Sequence, residues 1–294
     1  MEISEQKIDG CTFICVENNF GLRVELCSLG ASIFSISVKG LECLHHPFDR
    51  KLFLKEKLFH GKTVGRIAGR IKDGLFSIKG TEYKLEKNEN GNCLHSGKSS
   101  FAFKNFDYKI LDNVNNVVVD FAYVSPEQEG GFPGAANVRI SYVISKRSLS
   151  IKNYHYVDVN KDCPLSITNH CYFTLGEKCI DKLSLKMPCS KVSKLDDFFL
   201  VEGFEDVSSL LDFRKGKLFK NNIKKIAAIL PLLKGYDHVF LFDKTNGKNI
   251  CLLKGSKIQM KIITTYPAVV IYTNNSVYVE LQNTDSTGGN DTSG

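Results

Sequence analysis

The sequence predicts an all-β protein, one large antiparallel domain with few short helices, and three observations carry that expectation. Short segments rich in β-branched and aromatic residues recur, residues 117–123, 137–144 and 149–154 being the clearest. Turn signals separate them, among them Lys72-Asp73-Gly74 and Gly130-Gly131-Phe132-Pro133-Gly134. Long apolar repeats at helical spacing are missing, and the best helix candidate is the short stretch 206–211. A chain of 294 residues is compatible with one large β unit. The expected domain spans residues 1–282. Residues 283–294 carry no apolar anchor and are expected to form a flexible polar tail.

Composition limits the function classes. With 43% hydrophobic residues a sizeable core is available, yet no run of about 18 apolar residues exists to cross a bilayer. The first residues, Met1-Glu2-Ile3-Ser4-Glu5-Gln6-Lys7, lack the apolar stretch of a secretory signal, so a cytoplasmic protein is expected. The ten cysteines are scattered singly without a Cys-x-x-Cys pair, which points to reduced, mostly buried thiols and no structural zinc. The net charge of +7 comes from dispersed lysines, with one denser run from Arg214 to Lys225 read as a solvated loop. No nucleic-acid module accompanies it.

Two stretches present titratable groups inside alternating patterns. In residues 167–173, Ile167, Cys171 and Phe173 take one face of an expected strand, and Thr168, His170 and Tyr172 the other. In residues 277–282, Val277, Val279 and Leu281 share one face and Tyr278, Glu280 and Gln282 the other. A histidine and a glutamate offered from two strands are the minimum equipment for moving a proton on and off one small molecule.

Other motifs fail on inspection. His60-Gly61-Lys62-Thr63 resembles the end of a phosphate-binding loop, but Glu56 stands where the first glycine is required. Gly65-Arg66-Ile67-Ala68-Gly69-Arg70 lacks the third glycine and the βαβ setting of a dinucleotide fingerprint. His45 and His46 are adjacent, would point oppositely on a strand, and read as ordinary surface or loop histidines. There is no Gly-x-Ser-x-Gly elbow, and Cys171 is expected to face away from His170.

The remaining polar residues, Arg66, Arg70, His95, His170, Asp237 and Glu280, stand in wording that resembles the aldose 1-epimerase (galactose mutarotase) family. The likeness runs in order through Gly30-Ala31, residues 64–74, Leu94-His95-Ser96-Gly97, Gly131-Phe132-Pro133-Gly134 and residues 168–175. It continues through Asp212-Phe213-Arg214, Tyr236-Asp237-His238, Tyr272-Thr273-Asn274 and Glu280-Leu281-Gln282. It covers nearly the whole chain.

The resemblance implies a β-sandwich of the galactose mutarotase type (supersandwich), with a hexose held in an open groove on a concave sheet. It implies that Glu280 is the general base and His170 the general acid in ring opening. Their ordinary pKa values of roughly 4.3 and 6.5 suit proton transfer near neutral pH. It places His95 and Arg70 against the sugar near the reacting centre and Asp237 on ring hydroxyls, with Arg66 supporting a loop. The expected partner is a small-molecule hexose, with no metal or organic cofactor, no nucleic acid and no membrane, and the chain a monomer or weak homodimer.

Three positions depart from the family's wording: Gly69 for an asparagine, Ser96 in a His-Gly-Gly turn, and Thr174 for an asparagine after Tyr-Phe. Past the glutamate the family runs on into further strands, whereas here a polar tail follows. The sandwich is therefore expected either to close with fewer strands or to be a truncated form. Besides an aldose epimerase, two functions stay open at this point: a non-catalytic carbohydrate-binding or regulatory protein on the same fold, and a glycoside hydrolase using Glu280 and Asp237.

Overall fold

The computed structural model describes residues 1–229, 235–243, 248–273 and 279–284, with the backbone alone at 229 and 279–284. Strands dominate and helices are short, as the alternating segments require. The chain divides into two compact units, one formed by Met1–Leu41 with His46–His170, the other by Glu42–His45 with the described residues from Cys171 to Thr284.

The first unit holds two antiparallel meanders. One runs through Glu2–Ile8, Cys11–Glu17, Leu22–Cys27 and Ser32–Val38. The other runs through Asp107–Asp112, Asn116–Ser125, Ala136–Ser145 and Ile151–Val159, so the three segments with the strongest strand composition lie side by side. Period two fixes their burial: Val117, Val119 and Phe121, then Val138, Ile140, Tyr142 and Ile144, are all buried on one face. Tyr142 Oη donates to Ala31 O at 2.7 Å, and Asn18 Nδ2 donates to Ser145 O at 2.8 Å, so the meanders are joined by satisfied polar groups as well as apolar contact.

In the second unit a seven-stranded sheet has the order Val201–Asp206, Lys191–Leu195, Asp237–Leu241, Ala268–Tyr272, Val279–Thr284, Tyr172–Phe173, Leu44–His45. A second sheet joins Lys217–Leu218, Ser184–Lys186, Asn249–Lys254 and Gln259–Thr264. Phe213, Phe219, Tyr236 and Phe240 form an aromatic core, the rings of Phe219, Tyr236 and Phe240 being centred 5.6 to 5.9 Å from that of Phe213. Val279–Thr284 is an interior strand, paired on one side with Ala268–Tyr272 and on the other with Tyr172–Phe173. It continues two residues past the boundary expected at 282, and residues 285–294 of the expected tail lie outside the described residues.

Several local expectations are corrected. Residues 207–211 form a turn closed by Leu211 N–H to Ser208 O at 3.0 Å; so short an apolar stretch does not repay helix nucleation. The helices are Arg50–Lys55, capped by the Asp49 carboxylate on Leu52 N–H, and Ile223–Ile229. The latter lies in the lysine run read as a loop; Ile223 and Ile226 are buried while Lys224 and Lys225 are exposed. Residues 167–173 do not make one strand. Thr168–Asn169 pairs with Thr63–Val64 in the first unit, and Tyr172–Phe173 belongs to the seven-stranded sheet. Simple alternation is lost there, and Thr168, His170, Cys171 and Tyr172 are all buried. His46 is buried too, its ring 4.5 Å from that of Phe34. None of the ten cysteines is in a disulfide, and Cys179 is the exposed one.

Candidate active site

In the first unit a short ladder brings two of the expected residues together. Arg70–Ile71 pairs with Cys93–Leu94, with Leu94 opposite Arg70, and the chain turns immediately afterwards at His95. His95 N–H donates to Gly69 O at 2.9 Å, and Gly69 N–H donates to His95 Nδ1 at 3.0 Å. Gly69 has φ +90°, a conformation that suits glycine, so this departure from the family's wording is part of the clasp on His95. With Nδ1 accepting, the ring proton sits on Nε2, and neutral His95 is a donor there. Burial, and then the Arg70 charge, push its pKa down to about 3. Arg70 is itself oriented by Glu89, with Nε to Oε2 at 2.5 Å and Nη2 to Oε1 at 3.3 Å.

His170 lies beside His95, the two rings edge to face at 5.3 Å between centroids. Its main chain is clamped by Gly61 N–H donating to His170 O at 2.8 Å and by His170 N–H donating to Lys62 O at 2.9 Å. Phe59 completes the cluster, 5.0 Å from the His95 ring and 5.6 Å from the His170 ring. Burial first, and then the neighbouring His95 and His60 imidazoles, hold the His170 pKa well below its ordinary value. The expectation of an unperturbed imidazole is therefore corrected: His170 rests in the neutral form.

Gly61 is the tightest point of this clamp. Its φ is +61°, and a Cβ would come within 1.8 Å of Ile33 O. Left-handed backbone costs about 1–2 kcal/mol outside glycine, and forced overpacking adds about 1–3 kcal/mol. Gly61→Ala is expected to lower the melting temperature substantially, and an unchanged melting curve would show that the loop relaxes freely.

Arg66 does not share in the cluster. It is buried and donates to Pro133 O at 2.9 Å and to Ser125 Oγ at 2.8 Å, latching the Gly131-Phe132-Pro133-Gly134 loop as its expected supporting role requires. Ser96 Oγ accepts from Ile67 N–H at 2.9 Å, so that departure makes a structural bond, whereas Thr174 bonds Cys43 O at 2.8 Å through its main-chain N–H, which an asparagine would supply equally.

In the second unit the other two expected residues fall on one transverse row of the seven-stranded sheet. Asp237 is opposite Tyr272, Tyr272 opposite Glu280, Glu280 opposite Tyr172, and Tyr172 opposite His45. Glu280 thus occupies the register position between two tyrosines, whose rings stand edge to face at 6.1 Å. Two strand spacings of about 4.8 Å set its backbone about 10 Å from that of Asp237. Within Asp237–Leu241 burial alternates: His238 and Phe240 enter the core while Asp237 is half-buried on the opposite face. His238 Nδ1 accepts Asp237 N–H at 3.2 Å, and burial lowers its pKa to about 4.

Glu56, Phe59, His60, Lys62 and Glu89 were not singled out by sequence reasoning as site residues. The discarded phosphate-loop string at 60–63, polar yet wedged before a strand, was the one signal for that loop. Among the described residues no group of three or more His, Cys, Asp or Glu side chains is arranged to hold a metal ion. No helix among them is long and apolar enough to cross a membrane.

The sheets and the few short helices define a protein of the all-β class. The chain is a member of the aldose 1-epimerase family, whose sequence profile, described as "Aldose 1-epimerase", matches residues 12–289. It is 29% identical over 269 residues to the galactose mutarotase of Bos taurus, covering 86% of this chain and 75% of that protein. With the aldose 1-epimerase of Escherichia coli it shares 27% identity over 281 residues, 89% of this chain and 78% of the other. Among solved structures, the galactose 1-epimerase of Lactobacillus acidophilus superposes with a TM-score of 0.90 at 23% identity, over 99% of this chain and 92% of that one. The aldose epimerase homologue of C. elegans gives 0.83 at 24% identity, over 95% and 91%. These two structures confirm the galactose mutarotase fold.

Proposed function

We propose that this chain interconverts the α and β anomers of a hexose, galactose or glucose, by opening and reclosing the pyranose ring. In the forward step Glu280 takes the proton of the C1 hydroxyl and His170, in its minor protonated form, gives a proton to the ring oxygen and becomes neutral, so the C1–O5 bond breaks to the open aldehyde. Rotation about C1–C2 presents the other carbonyl face, and closure returns both protons to their donors. Neutral His95 offers Nε2–H to a sugar oxygen, and Arg70, held by Glu89, adds a fixed cation beside it. Asp237 accepts from ring hydroxyls and sets the sugar's orientation.

The observation that supports this reading most is the His95–His170 pair. Two buried imidazoles 5.3 Å apart, beside an arginine fixed by Glu89, gather ring donors and a cation at one place in the fold, as hydrogen bonding to a sugar oxygen needs. Polarimetry of freshly dissolved α-D-galactose and α-D-glucose tests it. Catalytic amounts of the protein are expected to speed the decay of rotation, and a decay no faster than in buffer alone defeats the reading.

A pH dependence follows from the lowered His170 pKa. The protonated form needed to load O5 is populated less with each pH unit above that pKa, so kcat/KM is expected to fall by up to about tenfold per unit between pH 6.5 and 8. Initial rates across that interval check it; a flat profile removes His170 from the acid role.

A further inference from the structure

We propose that the buried Glu56–Lys62 ion pair is a positioning device for His170, acting through the Phe59–Lys62 backbone and the Phe59 ring. This rests on the acid role assigned to His170 above.

Lys62 is completely buried, as is unusual for lysine. Its Nζ lies 2.8 Å from Glu56 Oε1 and donates to Glu56 O at 3.1 Å, while the rings of Phe53 and Phe103 stand 5.2 and 5.7 Å away. The other carboxylate oxygen of Glu56 accepts from Leu58 N–H and faces His60 Nδ1 at 3.3 Å. One carboxylate therefore gathers three points of a seven-residue loop, two of them side chains and one main chain. Burial pushes the Glu56 carboxyl up, but the hydrogen bonds from His60 and Lys62 and the Lys62 charge more than offset this and leave it below its ordinary value.

The loop closed in this way reaches His170 by two routes. Phe59, at φ +61°, holds its ring against both His95 and His170, and Lys62 N–H donates to Phe59 O at 3.0 Å. Gly61 and Lys62 also supply both main-chain bonds that grip His170. A buried ion pair adds little net stability over apolar residues of the same volume. Its directional bonds do define where the loop backbone sits, and a proton donor displaced by about 1 Å can lose on the order of 100-fold in rate. Neither residue touches the reacting atoms in this account; both act through others.

The test uses the full-length protein with Lys62→Met, Glu56→Gln, and the double replacement Glu56→Gln/Lys62→Met. Each single change leaves one buried charge unmatched and is expected to lower the melting temperature; the double change removes both charges while the side-chain amide oxygen at position 56 can still accept from Leu58 N–H, and is expected to restore it. If the pair only stabilises the fold, the restored double variant regains wild-type kcat. The proposal expects instead a kcat reduced about 10- to 100-fold with KM within about twofold. It also expects the ring-proton NMR shifts of His95 and His170, which report the nearby Phe59 ring, to move.

A double variant with wild-type melting, kcat and imidazole shifts overturns the proposal. Should the wild-type protein fail to accelerate mutarotation, the functional reading falls, and the imidazole shifts alone decide the positioning role. If the double variant does not fold, Phe59→Leu carries the test with the pair intact. A kcat loss of about tenfold or more supports transmission through the ring, and wild-type kcat overturns it.

Discussion

Replacing His170 by asparagine is expected to lower kcat for α-D-galactose or α-D-glucose by about 10²- to 10⁴-fold with KM changed far less. Asparagine approximates the size and hydrogen-bonding capacity of the imidazole but cannot carry a proton between solvent and sugar. The main-chain bonds to Gly61 and Lys62 do not depend on the side chain, so the loop geometry should persist. Glu280→Gln is expected to give a loss of similar size, for the same reason at the C1 hydroxyl. The two losses should not multiply, because either one halts the coupled transfer. Polarimetric initial rates at several sugar concentrations separate kcat from KM. A variant of either kind that retains the wild-type rate, with its fold checked by circular dichroism, would refute the assigned pair.

Acid is expected to destabilise the protein steeply below neutral pH. His95, His170 and His238 are buried and have pKa values lowered chiefly by burial, to about 3 for His95 and about 4 for His238. An unfolded chain takes up protons on these rings below pH about 6.5 while the folded chain does not. Their contribution is thus complete above the unfolded value and declines as pH falls toward the folded values. Each ring removes about 1.4 kcal/mol per pH unit, so three remove about 4 kcal/mol per unit across the upper part of that window. A stability of about 5 kcal/mol, the lower end of the usual range, would be consumed by about pH 5, and a larger one at lower pH. Glu56 and Glu129, whose folded pKa values lie below the ordinary carboxylate range, stay ionised through the upper part of the window and do not offset the loss. Thermal melts at pH 7.5, 6 and 5 check this; equal melting temperatures at all three would mean that these rings protonate in place.

The strand content was legible because residues 116–159 alternate with core on one face, and period two survives translation into a sheet. The same rule misled at residues 167–173. There the chain leaves one sheet at Asn169 and enters another at Tyr172, and both faces are covered on either side of the break. Arg70 and His95 could be named from family wording, but the reason they lie together is a two-residue ladder too short to show as a pattern. The Glu56–Lys62 pair was opaque for a different reason: a lysine in a loop reads as solvated unless its partner is known, and the partner lies six residues away with no periodic relation to it. The tautomer of His95 depends on a single main-chain N–H from Gly69, and register alone puts Asp237 and Glu280 on one row.

Tyr172 sits between His45 and Glu280, each more than a hundred residues away along the chain in opposite directions. A two-residue strand with such neighbours has almost no local reason to form. Its pairing must wait until distant segments have met, and topologies dominated by such contacts fold on the slow, millisecond-to-second end of the scale. Losing the Val279–Thr284 strand would leave Ala268–Tyr272 and Tyr172–Phe173 as two raw edges facing each other across a gap, the form of sheet most prone to recruit a strand from another molecule. The strand that carries the proposed base therefore also covers two sheet edges that would otherwise be open to pairing with another chain.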